Sequence, residues 1–318
     1  MVQLEASMEL IHSVGSTYQM ENTKRYIKRY KEDGQMKNEL EQRIMRAKKI
    51  LDDAQIIIIG AGAGLSTAAG LDFGGKRFKQ LMPEFGEKYG YDNMYEGDFY
   101  PYHTLEEYWA FESKVILLNR YELEALPLYK KIYNIVKDRN FFVLTTNVES
   151  QFVKADFPER QVFATQGDYS LFQCSKGCHK KLYFNEDKIR EMVAETKGCK
   201  IPTELIPMCP VCGETMKINL RADQYFIEDK AWDESNKRYD EYVSNVGLKK
   251  VVYLEFGVGY NTPGIIRYPF EQQTYRNPNA HLIRFNKDHP DGAKENEDKT
   301  ISFTEDISTI LENMYPEC

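Results

Sequence analysis

The chain has 318 residues and carries 42 Lys+Arg against 49 Asp+Glu, a formal net charge of −7. Its length predicts two domains, or one large domain with an insertion, and 42% hydrophobic residues suffice for a sizeable core. The acidic balance argues against a dedicated nucleic-acid binder, and the longest apolar run (56–64) is about half of the roughly 20 residues a membrane span needs, so neither nucleic acid nor membrane is an expected partner.

Residues 1–20 mix Glu5, Glu9 and His12 with apolar residues and lack the basic start of a secretory signal, so a cytoplasmic protein is expected. Residues 23–53 are charged and helix-prone, with Ile27, Leu40, Ile44 and Ala47 at helical spacing, and predict one or two amphipathic helices. Gln55 and the four isoleucines after it read as a strand buried on both faces. That strand runs into Gly60-Ala-Gly-Ala-Gly64, and a helix is expected from about Ser66. Residues 73–100, rich in glycine and aromatics, predict a long ordered loop or a small helical excursion. A helical stretch follows over 105–136, broken near Pro127. Strands are expected at 141–145, 161–165, 224–227, 251–256 and 281–286, a polar loop at 288–300, and a last helix from about Thr304. Strands alternating with helices indicate an α/β fold with a parallel sheet. Tyr89, Tyr91, Tyr95, Phe99, Tyr100, Tyr102, Tyr108 and Trp109 are expected to build core and loop packing, with a share lining an acceptor channel. Arg267 and Arg284 are candidate phosphate contacts whose default reading is surface arginine.

Two cysteine pairs interrupt this pattern. Cys174 and Cys178 form a C-x3-C knuckle, and Cys209 and Cys212 form a C-x2-C knuckle after a gap of 30 residues. Each knuckle aims two sulfurs at one ion, which predicts a structural four-thiolate zinc site with no open coordination position. Lys176-Gly177, Pro210 and Gly213 supply the turns. Cys199 and Cys318 are expected to be spare thiols, and His179 an exposed loop residue.

A strand, a glycine-rich turn and a helix form a diphosphate site, because glycine admits phosphate to the backbone. Leu65 stands where the third glycine of a dehydrogenase fingerprint belongs. The chain then enters Leu71-Asp72-Phe73-Gly74-Gly75 instead of presenting an acidic residue on a second strand. A dinucleotide enzyme that does not transfer hydride is therefore expected.

Gly62-Ala63-Gly64-Leu65-Ser66 and Gly70-Leu71-Asp72-Phe73 are similar to the sirtuin patterns G-A-G-I-S and G-I-P-D-F-R. Thr145-Thr146-Asn147-Val148-Glu149 resembles the sirtuin T-Q-N-I-D, and Gln166-Gly167 falls where sirtuins carry His-Gly. Leu220-Arg221-Ala222-Asp223 resembles L-R-P-D, Gly257-Val258-Gly259 resembles G-T-S, and Phe285-Asn286 resembles the strand end that meets the adenine ribose. These matches run in order over about 56–288, three quarters of the chain. The resemblance implies a Rossmann-like, sirtuin/DHS-like NAD-binding fold with a small zinc-ribbon insertion. It divides the chain into a helical extension (1–54), an NAD-binding domain (55–170 and 220–318) and a zinc domain (171–219). It also implies NAD+ contacts from Gly62, Ala63, Gly64, Ser66, Asp72, Phe73, Arg77, Asn147, Glu149, Gln166, Gly257, Gly259 and Asn286, with Asn147 and Gln166 catalytic.

The departures bear on the reaction. Sirtuin deacylation uses its histidine as a general base, and the amide of Gln166 cannot take a proton. The proline and arginine of P-D-F-R are missing, leaving Lys76 or Arg77 as substitutes, while Thr146 replaces Gln and Glu149 replaces Asp. A deacylase so changed is expected to be crippled. The His-to-Gln exchange and the loop 60–73 resemble the macrodomain-linked, class M sirtuins. That resemblance implies mono-ADP-ribosyl transfer to a protein with release of nicotinamide. It further implies a lipoylated carrier of the glycine-cleavage H type as acceptor, a macrodomain hydrolase as functional neighbour, and a role in oxidative stress. A residual sirtuin deacylase, or a silent NAD/ADP-ribose sensor, are the alternatives.

Overall fold

The computed structural model describes the backbone of residues 17–317, with side chains at Lys28 and from residue 35 onward. The expectations for residues 1–16, for the Ile27 side chain and for Cys318 lie outside the described residues. Two units are distinguished, Met1–Lys49 and Ile50–Cys318. One helix, α1 (Thr17–Asp52), covers the predicted amphipathic stretch.

The isoleucine run forms β1 (Ile56–Ala61), buried along its whole length. Buried β-branched residues without alternation suit a strand covered on both faces. The glycine turn then leads into α2 (Ala63–Ala68). The glycine and aromatic stretch folds into three short helices, α3 (Gly75–Leu81), α4 (Pro83–Tyr89) and α5 (Met94–Asp98). Helix α6 (Leu105–Ile116) widens into a π-helical turn at Leu117–Tyr121, and α7 (Pro127–Val136) starts on Pro127, whose missing N–H costs nothing at a first helical turn.

β2 (Phe141–Thr145), α8 (Gln151–Lys154) and β3 (Val162–Ala164) complete one flank of the main sheet. The chain then leaves it for a three-stranded antiparallel sheet in the order β5-β4-β6, made of β4 (Gly167–Cys174), β5 (Tyr183–Phe184) and β6 (Met216–Leu220), with α9 (Glu186–Glu195) after β5. It returns through α10 (Lys230–Ser244), β7 (Val251–Phe256), α11 (Arg267–Arg276), β8 (Ala280–Phe285), β9 (Thr300–Phe303) and α12 (Ile307–Met314). The main sheet has the order β3-β2-β1-β7-β8-β9, with every neighbouring pair parallel. The chain builds outward from β1 on one side and restarts at β7 on the other, so the topological switch lies between β1 and β7. Ligands of parallel sheets bind outside the carboxyl ends at such a point. No helix among the described residues is long and apolar enough to cross a membrane.

Several expectations are corrected. Residues 224–227 are not a strand. The Asp223 carboxylate accepts the Tyr225 N–H at 2.8 Å, and the side chains of Gln173 and Asn219 satisfy Tyr225 O, Ile227 N and Ile227 O. Side chains thus take the hydrogen bonds that a neighbouring strand would otherwise supply. The polar loop 288–300 ends in a 3-10 turn (Lys294–Lys299) and runs into the unforeseen edge strand β9. The final helix begins later than expected, where Asp306 accepts the Thr309 N–H at 2.8 Å. Most of the aromatics at 89–109 do build a core, in which Tyr91 and Tyr102 share a 2.6 Å hydroxyl contact, but Tyr95 and Phe99 stay 63% and 72% exposed.

Arg267 and Arg284 are not surface residues but are closed to solvent and paired within the protein. Glu255 on β7 sits in register with Arg284 on β8. Arg284 grips Glu255 with two bonds of 2.7 and 3.0 Å, both residues being closed to solvent, and donates to the partly buried Glu271 at 2.9 Å. Arg267 lies beside the same Glu255 at 3.7 Å and donates to the carbonyls of His289 and Asp291. Removing one member of a buried ion pair strands the other, so Glu255→Ala should lower unfolding free energy by about 3–5 kcal/mol. Urea denaturation checks this, with an unchanged midpoint as the contrary result.

Candidate active site and metal centre

A cleft of about 810 Å³ opens at the carboxyl ends of β1, β7 and β8. Its two walls meet through backbone. Gly62 N donates to Phe256 O and Gly64 N to Gly257 O, each at 3.0 Å. A Cβ on Gly64 would stand 2.7 Å from Gly257 Cα, and one on Gly257 would stand 2.4 Å from Gly64 C. Gly257 also holds φ +57°, a left-handed value that disfavours side chains. The glycines therefore serve first to let two strand-end turns touch, and the wall they leave is bare backbone.

Of the residues expected to hold NAD+, Gly62, Ala63, Gly64, Gln166, Gly257, Gly259 and Asn286 line this cleft. Asn286 braces it, donating to Val258 O at 2.8 Å and accepting from His289 N at 2.9 Å. Gln166 is half-buried and donates from Nε2 to Thr262 Oγ1 at 3.3 Å. The next residue, Gly167, has φ +99°, and a Cβ there would lie 1.8 Å from Asn219 O, so the turn that presents Gln166 demands glycine.

Ser66, Asn147 and Glu149 form a buried polar cluster with Tyr129 rather than part of the cleft wall. Asn147 Nδ2 faces Gly62 O at 3.1 Å, Ser66 Oγ at 3.0 Å and Tyr129 Oη at 3.2 Å. Glu149 Oε1 accepts from Ser66 at 2.6 Å and from Tyr129 at 3.2 Å, and its Oε2 accepts the Val148 N–H at 3.0 Å. A second cavity of about 230 Å³ reaches Thr145, Asn147 and Glu149 past Phe163, Leu171 and Trp232. Asp72, Phe73 and Arg77 do not line the cleft. Asp72 is exposed and accepts the Gly74 N–H at 2.9 Å, Phe73 packs on the aromatic core, and Arg77 reaches Leu118 O at 3.4 Å.

Sequence reasoning missed Thr67, Tyr260, Thr262 and His289, which also line the cleft, and Tyr129. Tyr260 and Thr262 lie within three residues of Gly259, so extending the Gly257 motif would have found them. No local pattern marks His289 or Tyr129, which arrive through loop and helix packing.

The cysteine knuckles converge. The sulfurs of Cys174, Cys178, Cys209 and Cys212 lie within 4.8 Å of one another, with Cys174–Cys212 and Cys178–Cys209 both at 3.6 Å. A tetrahedral ion with Zn–S near ~2.3 Å needs sulfurs about 3.8 Å apart, so the donor set fits structural zinc. Burial pushes the Cys174 thiol up, but the N–H groups of Cys178 and Lys176 and the neighbouring thiols outweigh it and bring it down to about 7. His179 is not the exposed loop residue expected. It is half-buried, with Nδ1 3.0 Å from Cys178 Sγ and Nε2 2.9 Å from Tyr183 Oη. Cys199 is buried and separate from the cluster.

A doubly built parallel sheet, a cleft at its switch point and a four-cysteine module between β3 and β7 define a sirtuin-like class. Among solved structures, Sir2Tm bound to a propionylated peptide matches with TM-score 0.53 at 15% identity, covering 86% of this chain and 98% of that one. A Sir2 homologue in complex with ADP-ribose matches with TM-score 0.52 at 12% identity, over 85% of this chain and 94% of that one. The fold is thus the sirtuin fold. A Staphylococcus aureus protein ADP-ribosyltransferase is 37% identical over 262 residues, 82% of this chain and 83% of the relative. A probable bifunctional ADP-ribose hydrolase/ADP-ribosyltransferase of Fusarium oxysporum f. sp. cubense is 28% identical over 242 residues, 72% of this chain and 40% of that protein. No family model matches the chain. The chain belongs to the family of NAD+-dependent protein ADP-ribosyltransferases built on the sirtuin fold.

Purified protein should carry about one equivalent of zinc, and Cys209→Ser should lose it together with cooperative unfolding of the three-stranded sheet. Metal analysis and hydrogen exchange over 167–220 check both, and metal-free protein with an intact sheet would be the contrary outcome.

Proposed function

We propose that this chain transfers a single ADP-ribosyl unit from NAD+ to a protein acceptor and releases nicotinamide. The observation that carries the reading is Gln166, an amide held by Thr262 on the cleft wall where a deacylase needs a titrating base. Bound NAD+ supplies its own leaving group, since nicotinamide departs neutral from a cationic ring. The chain's residues then need to orient and to exclude water. Gln166 Nε2 is engaged by Thr262, which leaves its Oε1 to accept from a ribose hydroxyl. Asn147 and Glu149 are assigned to the reacting ribose and the nicotinamide amide, both held rigid by buried hydrogen bonds. Gly62, Ala63, Gly64, Gly257, Gly259 and Asn286 are assigned to the rest of the dinucleotide, and Cys174, Cys178, Cys209 and Cys212 to zinc. Within this reading, 55–170 and 220–318 act as the NAD-binding domain and 171–219 as the zinc domain.

An acceptor that arrives ionised, such as a carboxylate, needs no base. We take a lipoylated carrier of the glycine-cleavage H type as acceptor and a macrodomain hydrolase as functional neighbour, in a response to oxidative stress. The Fusarium relative, described as joining an ADP-ribose hydrolase to a transferase, supports the pairing. The five described cysteines form no disulfide, which suits a reducing, cytoplasmic setting.

Labelled NAD+ and a candidate acceptor test this. Protein-bound label with acyl-lysine untouched is the expected result. Acyl-ADP-ribose would instead indicate a deacylase, and binding without turnover a sensor. Asn147→Ala and Gln166→Ala should each lower transfer at least about 100-fold, as loss of a group acting only in the transition state does, with both proteins still folded. Wild-type rates in both would end the assignment.

A further inference from the structure

Tyr129 belongs to no motif, yet its hydroxyl lies at the centre of the buried cluster. It comes from α7, is closed to solvent, and meets the Phe152 ring edge-on at 4.9 Å. Its Oη stands 2.9 Å from Ser66 Oγ, 3.2 Å from Asn147 Nδ2 and 3.2 Å from Glu149 Oε1. All three partners are side chains assigned to the site, drawn from α2 and from the loop after β2. Burying a phenol costs several kcal/mol unless it is partnered, so a tyrosine required for packing alone would be replaceable by phenylalanine. Burial, and then the Glu149 carboxylate, hold the phenol far above its ordinary range, so it remains a donor at any working pH.

The geometry decides how the Asn147 amide faces. Its Nδ2 has two protons and three inward acceptors, Gly62 O, Ser66 Oγ and Tyr129 Oη. Its Oδ1 has no hydrogen-bond partner among the described residues. The amide nitrogen is therefore committed to the interior, and the carbonyl oxygen is the atom left for a ligand. The two ends of a carboxamide are nearly isosteric, so only hydrogen-bond partners keep one orientation. Tyr129 and Ser66 accept from Asn147 on one side and pass their own protons toward Glu149 on the other.

We propose that Tyr129 is a positioning residue for ADP-ribosyl transfer: its hydroxyl links Asn147 to Glu149 and keeps Asn147 Oδ1 turned toward the substrate. The inference rests on the catalytic reading of Asn147 given above. Loss of the hydroxyl takes one of three inward acceptors from the amide, weakening its hold on this orientation, and removes a donor from a buried carboxylate. The cleft wall that holds most of the dinucleotide is left intact.

Tyr129→Phe tests this, with Tyr133→Phe as control, since Tyr133 lies on the same helix with its ring on Phe157 and its hydroxyl outside the cluster. In Y129F, kcat for nicotinamide release and acceptor labelling should fall about 10- to 100-fold, the loss expected for one hydrogen bond to a charged network. KM for NAD+ should stay within about threefold, which separates positioning from binding. Y133F should match wild type. An active wild type with an equally active Y129F overturns the proposal while leaving the transferase reading in place. A wild type that releases no nicotinamide removes the reading itself. Should Y129F be unstable, Tyr129→Ala with added phenol or toluene decides: turnover restored by phenol but not by toluene supports the hydroxyl's role, and equal restoration by both refutes it.

Discussion

The contact between Gly64 and Gly257 is the constraint on which the site depends. Two parallel strands end side by side, and their following turns approach so closely that neither position tolerates a Cβ. That approach joins the turn after β1 to the loop after β7 by backbone hydrogen bonds and leaves a smooth wall at the topological switch. The other wall is raised by Asn286 and His289, and those residues are held by a buried charge network in the sheet itself. Arg267 and Arg284 donate to the carbonyls of the 289–291 loop while Glu255 and Glu271 neutralise them. Cleft geometry is thereby tied to the core of the sheet.

Polar groups fall into two layers around this cleft. Gln166, Thr262 and Asn286 face the open space, whereas Ser66, Tyr129, Asn147 and Glu149 form a closed hydrogen-bonded set behind it. The outer layer can adapt to a ligand. The inner layer is fixed, because each buried donor or acceptor that loses its partner costs about 1–3 kcal/mol. On the proposed reading, catalysis without a titrating base needs such fixed dipoles, and an amide at position 166 and a hydrogen-bonded inner set go together.

The sheet was legible because its signals are local. Four successive isoleucines, the run Phe141–Thr145 and the run Val251–Phe256 each state burial on both faces within a few residues. The metal centre was legible for a similar reason, since knuckle spacing aims sulfurs before any tertiary contact forms. Residues 224–227 were misread because strand propensity says nothing about Gln173 and Asn219, distant side chains that claim the backbone groups. Arg267 and Arg284 were misread because burial of a charge depends on a partner brought by another strand. Asp72 keeps its place in the motif but not at the cleft, and Arg77, offered as a substitute for the missing arginine, lies on a short helix that follows packing rather than pattern.

By itself, the sequence determined the parallel sheet, the four-thiolate module, the glycine turns and the amide at position 166, all properties of residue type at short spacing. Only the tertiary structure decided which glycines face one another, which arginines are buried, and that Tyr129 joins Asn147, Ser66 and Glu149. Those outcomes depend on separate segments meeting at hydrogen-bond distance, such as Ser66 and Tyr129, 63 residues apart. No local propensity encodes that meeting; it follows from how the strands close the sheet and carry their helices with them.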